Sequence, residues 1–542
     1  MIIPRPKGEG GPKGRVRGEE MLPCTPHPPL RGTLSLRARD LFRSIILLII
    51  VLAFVPAACS RTPAHGPDII VMALDESPRN LDPRVGTDAS SERLIQLMFS
   101  SLVKRGDRYD IEPDLALSWE IPNPTTYIFH LRTDAKFHDG RLLTSRDVLF
   151  TFRSVLSGAI QTPKAGTYRL VESVEAPDDR TVIFKLKEPF APFLWNLTRG
   201  AIGIVPDGSP ADFAKNPVGS GAFKFIRYDP DSEVVLERND SYYGKKPIVS
   251  RFQFKIIPEA IVRALELKKG SVDIALSVLT PDMVEALRGN KDLDVLQAPG
   301  TNYQYIAFNL KDPLFSDVRV RKAIAYAIDR DKIIKHLWRG QAQPATGVIP
   351  PSNWSYAEDV ETYPYNPQRA RELLREAGRE NMSFTYRTAT DDTGRLLASV
   401  LQQQLREVGI QMDIRSNEFA TFYSDVVKGN FQMYSLRWIG GNNDPDILNF
   451  VFHSMMFPPN GANRGRYANA EVDRLIDLAR RDVDTEKRKA AYQEIQRIVA
   501  KDLPYVSLFY VDNVAVYNKR IGGMKLYPAG EYEFLADVSI SN

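Results

Sequence analysis

From residue 68 onward, short runs of β-branched and aromatic residues alternate with stretches whose apolar positions recur every three to four residues. That alternation is the pattern of α/β layering. Strands are predicted at 68–73, 126–131, 181–186, 223–228, 234–238, 252–256, 303–309, 382–387, 411–416 and 506–510. Three helices carry clear punctuation. Asn366 caps one that begins at Pro367, sets Ala370, Leu373, Leu374 and Ala377 on one face, and stops at Gly378. Thr280 with Pro281 follows the same logic, as does Asn469 ahead of Val472, Leu475, Ile476 and Ala479. Gly219, Ser220 and Gly221 lead into a strand and not into a helix N-terminus, so they read as a tight turn and not as a phosphate cradle. Beyond residue 67 there is no internal repeat and no low-complexity tract.

The first 67 residues follow another pattern. Residues 45–55 form an uncharged apolar run preceded by Arg31, Arg37, Arg39 and Arg43, and Pro56 ends the run well short of the roughly 20 residues a spanning helix needs. An export signal is therefore expected, within an N-terminal extension of residues 1–58. Pro56, Ala57, Ala58 and Cys59 resemble the site at which bacterial lipoproteins are cut and lipidated at the cysteine. Pro56 stands where that motif usually has leucine, so ordinary signal-peptide cleavage nearby stays open. Residues 59–67 read as a tether, and either Met1 or Met21 can be the true start.

At 542 residues the chain has room for two to four domains, and its 43% hydrophobic and 25% charged content is that of a globular protein. Its formal charge of +4 is concentrated at the front. Residues 1–58 hold nine Lys/Arg against four Asp/Glu, which leaves the body at −1. Such a body lacks the basic footprint of a nucleic-acid partner. Cys24 and Cys59 are the only cysteines, so the body offers no disulfide, thiolate metal site or thiol nucleophile. There is no nucleophile elbow, zinc-protease helix, Walker loop or dinucleotide fingerprint, and the six histidines show no i, i+4 pair.

Longer strings carry a specific resemblance. EPDLALSW (112–119), YIFHLR (127–132), KFHDG (136–140) and SRDV (145–148) are followed in order by PVGSGAFK (217–224), RNDSYY (238–243) and YIAFN (305–309). DVRVRKAIAYAID (317–329), GVIPP (347–351), YNP (365–367), EAG (376–378) and DP (444–445) complete the series. Together they resemble family 5 extracellular solute-binding proteins of ABC importers, from about residue 66 to residue 540. The resemblance implies an α/β, two-lobed periplasmic-binding-protein type II fold with an interlobe ligand cleft. Lobe I would be 66–298 plus 512–542, and lobe II 299–511. It further implies capture of a peptide or other small solute and delivery to ABC permease subunits in the membrane. No catalytic residue, cofactor or metal is implied, and the protein is expected to act as a monomer at the periplasm or outer membrane face, held through Cys59. An oligosaccharide, an opine-like or polyamine-like compound, or a metal chelate is the alternative solute, and an exported hydrolase the remote alternative.

In peptide-binding members of that family an aspartate three residues after a cleft tryptophan accepts the ligand's ammonium. Here the tryptophan is Trp438 and the third residue is Gly441. Asp444 then either takes over the role or caps the helix that follows. Arg437 is a candidate for a ligand carboxylate or phosphate. Tyr303 and Asn309 flank a strand expected just after the hinge. On the first lobe the loop holding Thr87, Asp88 and Ser90 either contacts ligand or only caps the next helix.

Overall fold

The computed structural model describes residues 68–106, 110–439 and 444–541. Seventeen strands are used below: β1 (Ile69–Leu74), β2 (Val103–Arg105), β3 (Ile111–Pro113), β4 (Ala116–Asn123), β5 (Thr126–Leu131), β6 (Val171–Asp178), β7 (Thr181–Leu186), β8 (Phe223–Asp229), β9 (Glu233–Arg238), β10 (Arg251–Ile256), β11 (Ile274–Leu276), β12 (Leu293–Phe308), β13 (Ala342–Pro344), β14 (Ser383–Ala389), β15 (Gln411–Asn417), β16 (Met433–Trp438) and β17 (Tyr505–Asn518). Ten of them form one continuous path in the order β15-β14-β16-β12-β17-β11-β1-β10-β9-β8, with β13 added on β17. A separate antiparallel sheet, β4-β5-β7-β6, packs on the helix Ser145–Leu156.

Burial follows from how each strand is covered. β1 (IIVMAL) lies between two apolar cores and reads as a continuous hydrophobic run, as an interior parallel strand must. β5 and β7 are covered on one face and alternate buried and partly exposed residues. Along β12, Tyr303, Tyr305 and Ala307 enter one core of the second lobe while Ile306 and Phe308 enter the other.

The helices start where the sequence places them. Asn366 accepts from the Arg369 amide ahead of Pro367–Glu376, Thr280 accepts from Met283 ahead of Pro281–Leu287, and Asn469 accepts from Glu471 and Val472 ahead of Ala470–Arg481. Gly219 and Gly221 press against the backbone of Leu97 and Met98. A Cβ at Gly219 would lie 1.9 Å from the Met98 carbonyl oxygen, so the turn requires glycine for lack of space.

Two strands run well past their predicted limits. The segments expected at 303–309 and 506–510 are parts of β12 and β17, 16 and 14 residues long, which pair antiparallel over most of their length. Pro299 and Gly300 suggest a break in the sequence, yet they only shift the register between Ala298 and Asn302. Gly300 fits there because a Cβ would meet the Val511 carbonyl oxygen at 2.2 Å. On one side of this crossing β17 pairs with β11 through Ala515–Tyr517, and on the other β12 pairs with β16 through Tyr303–Phe308.

Candidate functional site

Strand direction locates the site. β14, β15 and β16 are mutually parallel where they pair, and Trp438 at the end of β16 stands opposite Tyr303, beside the crossing. β1 runs parallel to both β10 and β11, and Leu276 at the end of β11 stands opposite Ala515 on the other side of the crossing. The carboxyl ends of both sets of parallel strands therefore face the crossing, the place where open α/β sheets bind ligands. Large apolar side chains left in solvent gather after these strand ends: Phe419, Ile439, Phe450 and Met455 after β15 and β16, and Ile261 and Leu265 after β10.

An aromatic stack floors the second-lobe side. Trp438 lies 6.4 Å from Tyr305 at an interplanar angle of 11°, Tyr305 lies 4.4 Å from Tyr505, and Phe450 meets the Trp438 ring edge-on at 6.2 Å. The Arg464 guanidinium is held 5.2 Å from the Trp438 ring and 5.2 Å from the Tyr423 ring. It donates to the Tyr423 hydroxyl at 2.9 Å and to the Tyr305 hydroxyl at 3.4 Å. Its loop is pinned from both sides. The Asn463 amide donates to the carbonyls of Phe452, His453 and Tyr467, and Gly465 packs where a Cβ would lie 2.7 Å from the Phe308 carbonyl oxygen.

The residues named from sequence fall into three groups. Trp438 and Tyr303 are at the site, although Tyr303 is buried behind it, sharing a 2.6 Å hydrogen bond with Ser507 and stacking 5.5 Å from Tyr305. Arg437 points to the opposite sheet face. It lies over the Trp338 ring at 5.0 Å and donates to Gln304 at 3.1 Å, and burial pulls its pKa down to about 10. On the first lobe Asp88 caps the helix Ala89–Met98 through the Ser91 amide, Ser90 is buried, and Thr87 is exposed.

Two further candidates are engaged within the protein itself. Asn309 follows the far end of β12, about 20 Å from Tyr303 at the usual strand rise. There its amide donates to the carbonyls of Gly429 and Phe431 and holds a turn remote from the crossing. Asp444 makes a turn just ahead of the next helix and is paired with an arginine. One oxygen accepts from the Asp446 amide at 2.8 Å and the other pairs with Arg488 at 3.0 Å, while Asp446 itself takes the N-cap position and faces Arg480 at 2.9 Å. Burial pulls the Arg488 pKa down, but Asp444 and Tyr492 more than offset this, so the guanidinium stays charged. Gly441 and Cys59 lie outside the described residues.

Arg464, Tyr423 and Phe450 were not singled out from sequence. Arg464 sits in the polar string NGANRGRYANA, where nothing distinguishes it from a solvated arginine. Among the described residues no group of three His, Cys, Asp or Glu side chains is placed to hold a metal ion.

Comparison with known proteins agrees with this architecture. The profile described as "Bacterial extracellular solute-binding proteins, family 5 Middle" matches residues 110–454. The dipeptide-binding protein of Escherichia coli is 28% identical, over 86% of this chain and 93% of its own. Heme-binding protein A of Haemophilus influenzae is 29% identical, over 82% of this chain and 87% of its own. The periplasmic binding protein DppA of Helicobacter pylori, solved in complex with the peptide STSA, superposes with a TM-score of 0.73 at 28% identity, over 88% of this chain and 98% of that one. A two-lobed α/β body whose parallel strands end at a shared crossing, matched along most of its length by these relatives, makes the chain a member of the bacterial extracellular solute-binding proteins of family 5.

Proposed function

We propose that this chain is the extracytoplasmic receptor of an ABC importer, capturing di- or oligopeptides in the cleft at the crossing and passing them to permease subunits. The observation that carries this reading is the aromatic, donor-rich edge around Trp438, where flat apolar faces receive ligand side chains and fixed donors receive ligand oxygens. The relatives solved or named with peptides support it. With Asp444 matched by Arg488, the ligand's ammonium falls to carboxylates of the opposite lobe, of which Asp75 and Glu76 follow β1 and Glu259 follows β10, all exposed. Lobe I spans 66–298 with 512–542 and lobe II 299–511, and they hinge where β12 and β17 change register. Closure about that hinge replaces the ligand's water by protein groups and reports occupancy to the permease. Residues 1–58 export the chain, Cys59 carries a lipid anchor, and the receptor works as a monomer.

A solute without an ammonium group is the second reading, favoured by Gly441 at the anchor position and by the heme-binding relative. Native mass spectrometry of protein purified from its own host, followed by small-angle scattering with the released solute, tests both. Masses of peptides and a ligand-dependent fall in radius of gyration are expected. A retained non-peptide mass promotes the second reading, and a radius that no solute changes defeats the hinged receptor.

A further inference from the structure

The second-lobe edge has a surplus of donors and a deficit of acceptors. Arg464 is 6% exposed, has no carboxylate within 4 Å among the described residues, and directs its hydrogen bonds to neutral phenols, those of Tyr305 and Tyr423 among them. Around it the Trp438 indole nitrogen is buried without a hydrogen-bond partner among the described residues, and the hydroxyls of Tyr434 and Tyr505 have only Tyr305, Arg464 and each other beside them. A buried guanidinium lacking a counter-charge is costly to maintain, as is each unpaired polar group beside it. The other deeply buried arginines among the described residues are matched: Arg84 by Asp82, Arg488 by Asp444, Arg321 by four backbone carbonyls and Arg263 by three. Arg464 is held differently, because Asn463 and Gly465 fix its loop so that the charge stands under the Trp438 and Tyr423 rings beside the crossing.

We infer that Arg464 is the ligand's carboxylate subsite, so that a captured peptide lies with its C-terminal carboxylate on lobe II. This inference rests on the peptide reading above. A carboxylate supplies two acceptor oxygens and one negative charge, which suits the planar fork of a guanidinium and leaves acceptor capacity for a neighbouring indole or phenol donor. It also gives the cleft a sense. Acidic groups follow the first-lobe strands at Asp75, Glu76 and Glu259, and a cation waits on the second lobe, so a zwitterion spans the closed cleft in one direction.

The test uses the mature chain and a mixed tripeptide library in three forms: free acid, C-terminal amide and N-acetylated acid. Binding is read by isothermal titration and native mass spectrometry. Wild type is expected to bind the free acids at least tenfold more tightly than the amides, and Arg464→Gln to lower acid affinity to the amide level. Arg464→Lys keeps the charge but loses the fork, and is expected to retain part of the preference. The acid-to-amide comparison on wild type needs no variant to fold. Equal affinity for acids and amides overturns the Arg464 assignment and leaves the peptide reading standing. Failure to bind the library in every form overturns both.

Discussion

Asp444→Asn separates a structural carboxylate from a ligand anchor. Asp444 and Arg488 meet at 3.0 Å with side chains 10% and 7% exposed, and the Arg488 guanidinium also lies 5.4 Å from the Trp354 ring. Asparagine keeps an oxygen for the Asp446 amide but removes the charge. Arg488 retains its 3.0 Å bond to the Ala479 carbonyl, and the carboxylate that still reaches it electrostatically, Asp446, is already paired with Arg480. Unit charges about 4 Å apart attract by about 4 kcal/mol at an effective dielectric near 20, and breaking one partner of a buried pair costs about 3 to 5 kcal/mol. With that oxygen turned to the Asp446 amide, the asparagine NH2 faces Arg488 as donor against donor, so a loss of about 3 kcal/mol or more is expected. Urea unfolding followed by tryptophan fluorescence should show the midpoint falling with the slope unchanged. Asp444→Asn with Arg488→Met should recover most of the loss, because methionine beside the neutral asparagine leaves no orphan charge. A loss below about 1 kcal/mol, combined with peptide affinity reduced more than tenfold, refutes this and returns Asp444 to the ligand.

His138 should make stability depend on pH. Its Nδ1 accepts from the Gly219 amide at 3.2 Å and its Nε2 faces the Gly221 carbonyl at 3.1 Å, so the neutral ring clamps the glycine turn, and burial lowers its pKa to about 4. The unfolded ring takes its proton near 6.5, so stability present above that pH is lost as pH falls toward 4, by about 2 kcal/mol after discounting for partial exposure. His138→Gln should flatten that part of a pH series of urea midpoints, and an unchanged profile refutes the clamp. Gly219→Ala drives a methyl into the Met98 carbonyl and should cost about 3 kcal/mol or more, whereas Gly166→Ala, with open space around its Cβ, should stay within about 1 kcal/mol. Cys59→Ser should move the protein from the membrane fraction to the soluble one, and an unchanged distribution argues for an uncleaved helix at 44–55.

How far the sequence carries depends on the range of the interaction. Strand and helix positions are local: β5 alternates because one face is covered, and Asn366, Thr280 and Asn469 cap their helices through amides two or three residues away. The length of β12 was not legible, because Pro299 and Gly300 signal a break whose repair lies 211 residues on, where Gly300 meets Val511. The site divides in the same way. Trp438 was found because its neighbours in the chain carry a recognisable string, but the fate of Asp444 was decided by Arg488, 44 residues on. Arg464 shows the limit most sharply. What makes it chemically distinctive is a missing partner, and an absence in space leaves no trace in the order of residues. Only Tyr305, Tyr423, Tyr434, Trp438 and Tyr505, drawn from four separate segments, mark that guanidinium as uncompensated. An unmatched buried charge beside the strand crossing is stability surrendered in the empty protein, and a ligand that supplies the missing carboxylate recovers it only on binding.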